Sequence, residues 1–183
     1  MLNLPKCLNG VNIDPNRTRT RDKLLAQEAQ ELQKKFRNDY TCRVTFPEPT
    51  QLHKMELTLR PVSGMYAKGI FKFSIFVPPE YNNVPPIVEC KTRMWHPHIN
   101  EEGKIRLSIL RVNGPNDSSG WSPMRRILKV ILALFGLFRD PISFDDPLNE
   151  EAAKQYKEDP DSFKSQVQNY IKTYCENGHL ILF

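Results

Sequence analysis

Hydrophobic and polar positions along the first half of the chain follow the two periods that distinguish helices from strands. Over residues 21–36 the apolar side chains recur at helical spacing with Gln, Glu and Lys opposite, which predicts an amphipathic helix. Four later segments alternate at the period of a strand and are bounded by prolines: residues 41–46, 55–59, 71–77 and 87–90. Short connections between these segments favour an antiparallel sheet with one face free to take a helix.

A long crossing over residues 95–121 follows the last predicted strand. Irregular segments of this length are uncommon inside compact domains and are usually functional. Ser122 is predicted to cap, and Pro123 to open, a helix that runs to residue 138. That helix is apolar on nearly all sides, so we expect it to lie buried across the sheet. The predicted anchors of the crossing in the core are Leu107, Ile109 and Leu110.

Two further helices are predicted near the end of the chain. Asn149 is placed to cap a short helix over residues 150–157, and Asp159 or Asp161 to start a final amphipathic helix. The predicted inward face of that last helix comprises Phe163, Val167, Tyr170, Ile171 and Tyr174. Helix, four strands, crossing and three helices together predict an α+β fold.

The chain has 183 residues, 39% of them hydrophobic and 26% charged, which is ordinary for one soluble globular domain. We assign that domain to residues 21–175, with residues 1–20 as a flexible arm and residues 176–183 as an apolar tail that forms an extra strand or a partner patch. The sequence predicts neither a membrane span nor a secretory signal. Four scattered cysteines fit a reducing interior, so we expect an intracellular protein of the cytoplasm and nucleus.

The net charge of +5 permits an acidic partner. The basic residues are not clustered with aromatic residues or in a nucleic-acid reader motif, so an acidic protein partner explains the charge at least as well as nucleic acid does. Charge alone does not decide between them.

The crossing offers polar side chains but no complete catalytic or metal motif. His96 and His98 have the spacing of metal ligands, yet no cysteine, histidine or paired carboxylate nearby in sequence completes a site. Ser108 lacks the Gly-x-Ser-x-Gly context of a hydrolase nucleophile. The sequence therefore predicts no metal and no cofactor.

An ordered set of residues in the crossing is more informative. The set comprises Trp95-His96-Pro97, Ile99-Asn100, Gly103, Ile105, Leu107, Ile109-Leu110 and Trp121-Ser122-Pro123. This order resembles the active-site segment of the ubiquitin-conjugating enzymes, and the likeness extends over about residues 21–174. It implies the UBC fold: an N-terminal helix, a four-stranded antiparallel sheet, an active-site crossing, a central helix and two C-terminal helices. Within the family, the segments most similar to the neddylation-conjugating branch are residues 22–25, 81–86, 112–120 and 144–149.

The sequence departs from the family pattern at two positions that carry the chemistry. Arg106 stands where the family has its thioester-forming cysteine, and His98 stands where it has an asparagine credited with steadying the oxyanion. Asp146 matches the family's gate residue, which helps to orient and deprotonate the incoming lysine. A guanidinium stays protonated and is not a nucleophile, so the resemblance implies a member that forms no thioester.

The resemblance also implies partners: a NEDD-type ubiquitin-like modifier, a modifier-activating enzyme, and a RING-type ligase or a co-ligase. In the neddylation branch an arm beginning Met-Leu-x-Leu docks on the activating enzyme and, when acetylated, on a co-ligase. Asn83 is polar at a loop position where the family often presents an apolar ligase contact. The predicted partner-binding residues are Met1, Leu2, Leu4, Asn83, Ser122 and Pro123. We expect a monomer that binds neither nucleic acid nor membrane.

Two hypotheses follow. The first is a catalytically silent UBC-like module that acts by binding pathway partners, either competing for them or scaffolding them. The alternative is a neddylation-conjugating enzyme that carries inactivating substitutions at positions 98 and 106, each reachable by one base change. A nucleic-acid binder that uses the basic surface is the third and least favoured class.

Overall fold

The computed structural model describes residues 15–113, 119–139 and 146–175. The strands are β1 (Cys42–Thr45), β2 (Lys54–Leu59), β3 (Phe71–Phe76) and β4 (Ile87–Cys90). The helices are α1 (Pro15–Phe36), α2 (Ile127–Gly136), α3 (Glu150–Glu158) and α4 (Pro160–Tyr174), and a short 3₁₀ helix covers Ser108–Leu110. The predicted α+β class is confirmed.

The strands form one sheet in the order β1-β2-β3-β4, antiparallel throughout, as predicted. Along β2, β3 and β4 buried and more exposed residues alternate, because successive side chains point to opposite faces of the sheet. The buried face carries Cys42, Leu57, Leu59, Phe71, Phe73 and Cys90. The other face carries mostly charged and polar side chains.

Helix α1 begins at Pro15, earlier than the predicted start at residue 21. Its first turns carry Arg, Asn and Thr without an apolar stripe, so the hydrophobic period could not reveal them. Pro15 suits the first turn because its missing N–H is not needed there. The predicted arm therefore loses its last residues to the helix. The rest of the arm, with Met1, Leu2 and Leu4, lies outside the described residues, as does the tail over 176–183.

Helix α2 begins at Ile127, so the prediction that Ser122 caps it and Pro123 opens it was wrong. Ser122 instead forms a separate turn, in which its Oγ accepts from the backbone N–H of Met124 at 3.3 Å. The carboxylate of Glu28, from α1, accepts the N–H of Ile127 at 2.8 Å. A side chain from another helix thus satisfies an N–H that a local cap would otherwise take.

The last two helices begin as predicted. Asn149 Oδ1 accepts from Ala152 N at 3.0 Å, and Asp159 Oδ1 accepts from Ser162 N at 3.0 Å. Phe163 and Val167 are buried on the inward face of α4. Tyr174 is 42% exposed, so its predicted inward position was wrong. Its ring instead packs on Tyr170 near the helix end.

An aromatic cluster of Tyr66, Phe71 and Phe138 lies in the core beside the start of the crossing. The rings of Phe71 and Phe138 stack at 4.7 Å between centroids, and Tyr66 packs edge-on against Phe138 at 5.4 Å. The Tyr66 hydroxyl donates to the carbonyl of Trp95 at 2.8 Å. A polar bond from the core therefore fixes the point at which the crossing starts. Within the described ranges, no helix is both long and apolar enough to span a membrane.

Candidate functional site

His96 anchors the crossing to the core. Its Nε2–H donates to the carbonyl of Leu137 at 2.8 Å, and its Nδ1 accepts from the backbone N–H of His98 at 2.9 Å. These bonds require the neutral imidazole with its proton on Nε2. Burial lowers the pKa of His96 to about 4, so the ring stays neutral at physiological pH. Because both ring nitrogens are engaged within the protein, His96 is a structural anchor.

A tight turn brings His98 and Arg106 together. The backbone N–H of Arg106 donates to the carbonyl of His98 at 2.9 Å, and Ile99 and Ile105 bridge between them. Gly103 adopts φ +80° at this turn, and a Cβ there would lie 2.2 Å from the carbonyl oxygen of Cys90. Only glycine fits this close approach without strain. The turn therefore holds positions 98 and 106 at fixed places beside strand β4.

The Arg106 guanidinium points to Asp146, across the site. Its Nη1 forms a short ion pair with the Asp146 carboxylate and also donates to the Asp146 carbonyl at 3.3 Å. The two side chains are 43% and 77% exposed, so the pair is open to solvent. Asp146 has φ +56°, a left-handed conformation that Asp tolerates better than most residues. The structure thus joins two predicted site residues that lie forty positions apart in sequence.

The segment after Asp146 is fixed to the crossing by one carbonyl. The oxygen of Pro97 accepts the backbone N–H groups of both Leu148 and Asn149, each at 2.9 Å. The side chain of Asn149 also caps α3. The overhanging segment, the crossing and a helix start are therefore held in one arrangement, which forms the frame of the site.

A family model described as ubiquitin-conjugating enzyme matches residues 24–171. The chain belongs to the ubiquitin-conjugating enzyme family. It is 46% identical over 181 residues to the NEDD8-conjugating enzyme ubc-12 of Caenorhabditis elegans, across 96% of this chain and 100% of that protein. It is 45% identical over 171 residues to the NEDD8-conjugating enzyme UBE2F of Gallus gallus, across 93% and 91%. Against UBE2F of Homo sapiens it is 46% identical over 159 residues, across 87% and 84%.

These relatives confirm the resemblance to the neddylation-conjugating branch of the family. The elements of the UBC fold implied by the resemblance are also present: α1, the four-stranded sheet, the crossing, α2, and the pair α3 and α4.

All the cysteines that the structure describes are buried. Cys42, Cys90 and Cys175 are buried with free thiols, while Cys7 lies outside the described residues. Burial raises the pKa of Cys42 and of Cys90 to about 12, and it also raises the pKa of Cys175. Cys90 is the one beside the crossing, but its Sγ donates inward to the carbonyl of Thr92 at 3.1 Å. These thiols lack the exposure and the thiolate character of a nucleophile.

The loops that carry the predicted partner-binding residues are tied to each other. Asn82 Nδ2 donates to the carbonyl of Pro123 at 2.6 Å, and Trp121 Nε1 donates to the carbonyl of Asn82 at 2.7 Å. Asn83 and Pro123 are exposed and Ser122 is half-buried. The structure therefore brings the loop that contains Asn83 next to the segment that contains Ser122 and Pro123.

No group of three potential metal ligands occurs among the residues that the structure describes. The His98 ring lies beside that of His96, with centroids 6.0 Å apart, and the residue is only 8% exposed. Ser108 opens the short 3₁₀ helix at the surface.

Sequence reasoning missed Glu28, which lies on the buried side of α1. Its carboxylate accepts from the Tyr81 hydroxyl at 2.7 Å as well as from Ile127 N. Burial raises the pKa of Glu28, although both hydrogen bonds act in the opposite direction. The sequence signal for Glu28 is its position next to Ala29 on the apolar stripe of a helix. A carboxylate that is buried at such a position needs a hydrogen-bond donor beside it.

Proposed function

We propose that this chain is a ubiquitin-conjugating-enzyme-like protein of the neddylation pathway that binds pathway partners without forming a thioester. The resemblance assigns the thioester position to Arg106. The main observation behind this proposal is that the Arg106 guanidinium pairs with Asp146, while hydrogen bonds still hold the crossing, the segment after Asp146 and the start of α3 in one arrangement. The relatives are named NEDD8-conjugating enzymes, which supports placing the chain in that pathway.

The proposed loss of activity follows from the chemistry of transfer. In a conjugating enzyme, the thiolate of the catalytic cysteine attacks the thioester carbonyl that joins the modifier to the activating enzyme. The cysteine thiolate of the activating enzyme then leaves. Arg106 supplies no such nucleophile because its guanidinium stays protonated. Cys42 and Cys90 do not replace it, since both thiols are buried and their pKa values are raised to about 12.

The remaining site positions have secondary roles in this proposal. Loss of an oxyanion donor costs about a hundred- to a thousandfold in comparable enzymes, and His98 stands at that position of the family. Asp146 stands at the gate position, where its carboxylate now pairs with Arg106 instead of being available to an incoming lysine.

The proposed partners are a NEDD8-type modifier, its activating enzyme, and a RING-type ligase or co-ligase. Asn83, Ser122 and Pro123 lie on two loops that are hydrogen-bonded to each other, which supports a shared role in partner contact. Asn83 is polar where the family often presents an apolar ligase contact, which argues against ordinary ligase docking. The arm with Met1, Leu2 and Leu4 is proposed to dock on the activating enzyme or a co-ligase.

The alternative, a conjugating enzyme disabled only at positions 98 and 106, draws support from the preserved frame. The Pro97 carbonyl accepts two backbone N–H groups, and the buried His96 ring is hydrogen-bonded to the core. Under this alternative the partner contacts would be those of an active enzyme.

A charging assay tests the proposal. The unaltered protein is incubated with NEDD8 activating enzyme, ATP and NEDD8, and the products are run on non-reducing and reducing gels. We expect no reducible adduct, together with measurable binding to the activating enzyme in a pull-down. A reducible adduct would refute the loss of thioester chemistry, and failure to bind any pathway partner would refute the binding role.

A further inference from the structure

The side chain of Arg106 is an exposed cation that already holds a carboxylate. Its Nη1 pairs with the carboxylate of Asp146 and also donates to the Asp146 carbonyl at 3.3 Å. A guanidinium is planar, and the spacing of its N–H groups matches the two oxygens of a carboxylate. Asp146 therefore shows which chemical group this position of the site accepts.

Hydrogen bonds of the backbone fix the places from which the two partners extend. The backbone N–H of Arg106 donates to the carbonyl of His98 at 2.9 Å. The segment after Asp146 is held by the Pro97 carbonyl, through the N–H groups of residues 148 and 149. Because the backbone at this cation is ordered in advance, a ligand that binds there loses less affinity to the ordering of the protein.

The pair between Arg106 and Asp146 is exchangeable. The two side chains are 43% and 77% exposed, and a pair as open as this changes an equilibrium constant by at most about fivefold. A carboxylate that arrives from solvent can therefore displace Asp146, whose side chain then turns into water. In this exchange Asp146 is an internal competitor for the guanidinium.

The chemistry of position 106 indicates which carboxylate would arrive. In a conjugating enzyme the cysteine at this position attacks the carbonyl by which the modifier is attached, and that carbonyl belongs to the modifier's C-terminus. Before activation the same group is a carboxylate that is ionised at neutral pH. A thiolate repels this anion, whereas the guanidinium of Arg106 attracts it.

We propose that Arg106 makes the site a receptor for the free C-terminal carboxylate of the unactivated modifier, bound without a covalent bond and in exchange with Asp146. This inference rests on the proposed function, in which Arg106 stands at the thioester position, and it names the form of the modifier that the site selects.

A titration of the full ¹⁵N-labelled chain, followed by nuclear magnetic resonance, tests this with two forms of NEDD8. One form has its free C-terminal carboxylate, and the other has been converted to the C-terminal amide. We expect the carboxylate form to bind at least about fivefold more tightly, because the amide loses the charge that a guanidinium recognises. The Nε–H signal of Arg106 should shift with the carboxylate form alone, and Arg106→Gln should remove the preference.

The two partners of the ion pair should have opposite effects on this binding. Arg106→Gln removes the receptor and should weaken binding of the carboxylate form at least about fivefold. Asp146→Asn removes the competitor and its repulsion, and should tighten binding about two- to fivefold. If the pair only held the site together, both substitutions would weaken binding.

Arg93 and Glu101 provide a matched control. They form another exposed ion pair, at 2.8 Å, with side chains 45% and 69% exposed. Arg93→Gln and Glu101→Gln make the same changes in net charge as the two test substitutions, and each should change the affinity less than about twofold. Thermal melting of every variant checks that it is folded.

Three outcomes would overturn the inference. The first is equal binding of the two NEDD8 forms, which would assign any dependence on Arg106 to a side-chain carboxylate of the partner. The second is no binding of the carboxylate form at millimolar concentration, and the third is weaker binding by Asp146→Asn. None of these outcomes touches the proposed function, which fails instead if the unaltered protein forms a reducible adduct or binds no pathway partner.

Discussion

The buried carboxylate of Glu28 provides a prediction that depends on the tertiary structure. In Glu28→Ala, the Tyr81 hydroxyl and the Ile127 N–H both lose their acceptor. Both hydrogen bonds are buried in the folded protein. The variant therefore measures what a cap supplied from another helix contributes to folding.

The magnitude follows from the two orphaned donors. Each buried unsatisfied donor costs about 1–3 kcal/mol. Removal of Glu28 also relieves the burial penalty that raises its pKa, so the expected net loss lies in the lower half of the sum, about 3 kcal/mol. For a chain of this length that corresponds to a fall in Tm of roughly 6–12 °C.

Chemical and thermal denaturation followed by circular dichroism measures this loss. Glu31→Ala is the matched control because Glu31 lies one turn along α1 and pairs with Arg126 at 2.9 Å in an exposed ion pair. It should change the free energy of unfolding by less than about 1 kcal/mol. Equal small effects for Glu28→Ala and Glu31→Ala would refute the assigned role of Glu28.

Three further predictions are testable. Because burial raises the pKa of Glu28, the folded state holds the proton on this carboxyl more tightly than the unfolded state does. The free energy of unfolding should therefore fall as pH rises from 4.5 through the raised pKa. Urea titrations across this pH range should show a smaller fall in Glu28→Gln. Gly103→Ala should lower the unfolding free energy by at least about 2 kcal/mol in the same titration, since its Cβ would meet the Cys90 carbonyl at φ +80°; unchanged stability would contradict the close approach. A peptide of the first residues should bind activating enzyme or co-ligase, with Leu4→Ala about tenfold weaker by calorimetry, whereas equal affinities would leave the arm without a docking role.

The sequence predicted those parts of the fold that local patterns control. Alternation located all four strands to within about a residue at each end, and Asn149 and Asp159 were recognisable as caps because their signals lie within a few residues. The start of α2 was missed for the converse reason. Ser122 and Pro123 carry a local start signal, but the acceptor that serves Ile127 comes from position 28, far away in the chain.

The candidate site shows the same division. The motif around Pro97 and Gly103 marked the crossing and singled out positions 98 and 106, while Asp146 was singled out from the separate segment 145–149. The ion pair between Arg106 and Asp146 was not predictable, because it depends on the fold placing a left-handed Asp146 above the turn. Burial of His96 with both ring nitrogens engaged likewise required the partner atoms at Leu137 and His98.

The central claim is that Arg106 blocks thioester formation in a site whose frame is preserved. It is tested most directly by restoring a thiol. Arg106→Cys with His98→Asn is incubated with NEDD8 activating enzyme, ATP and NEDD8, beside the unaltered protein and Ser108→Cys, which places an exposed thiol two residues away. We expect a reducible NEDD8 adduct on the double variant, and none on the unaltered protein or on Ser108→Cys. A reducible adduct on the unaltered protein would contradict the block at Arg106. A folded double variant that accepts no modifier would contradict the preserved frame and, if the unaltered protein still binds a pathway partner, would establish the binding module over the disabled enzyme.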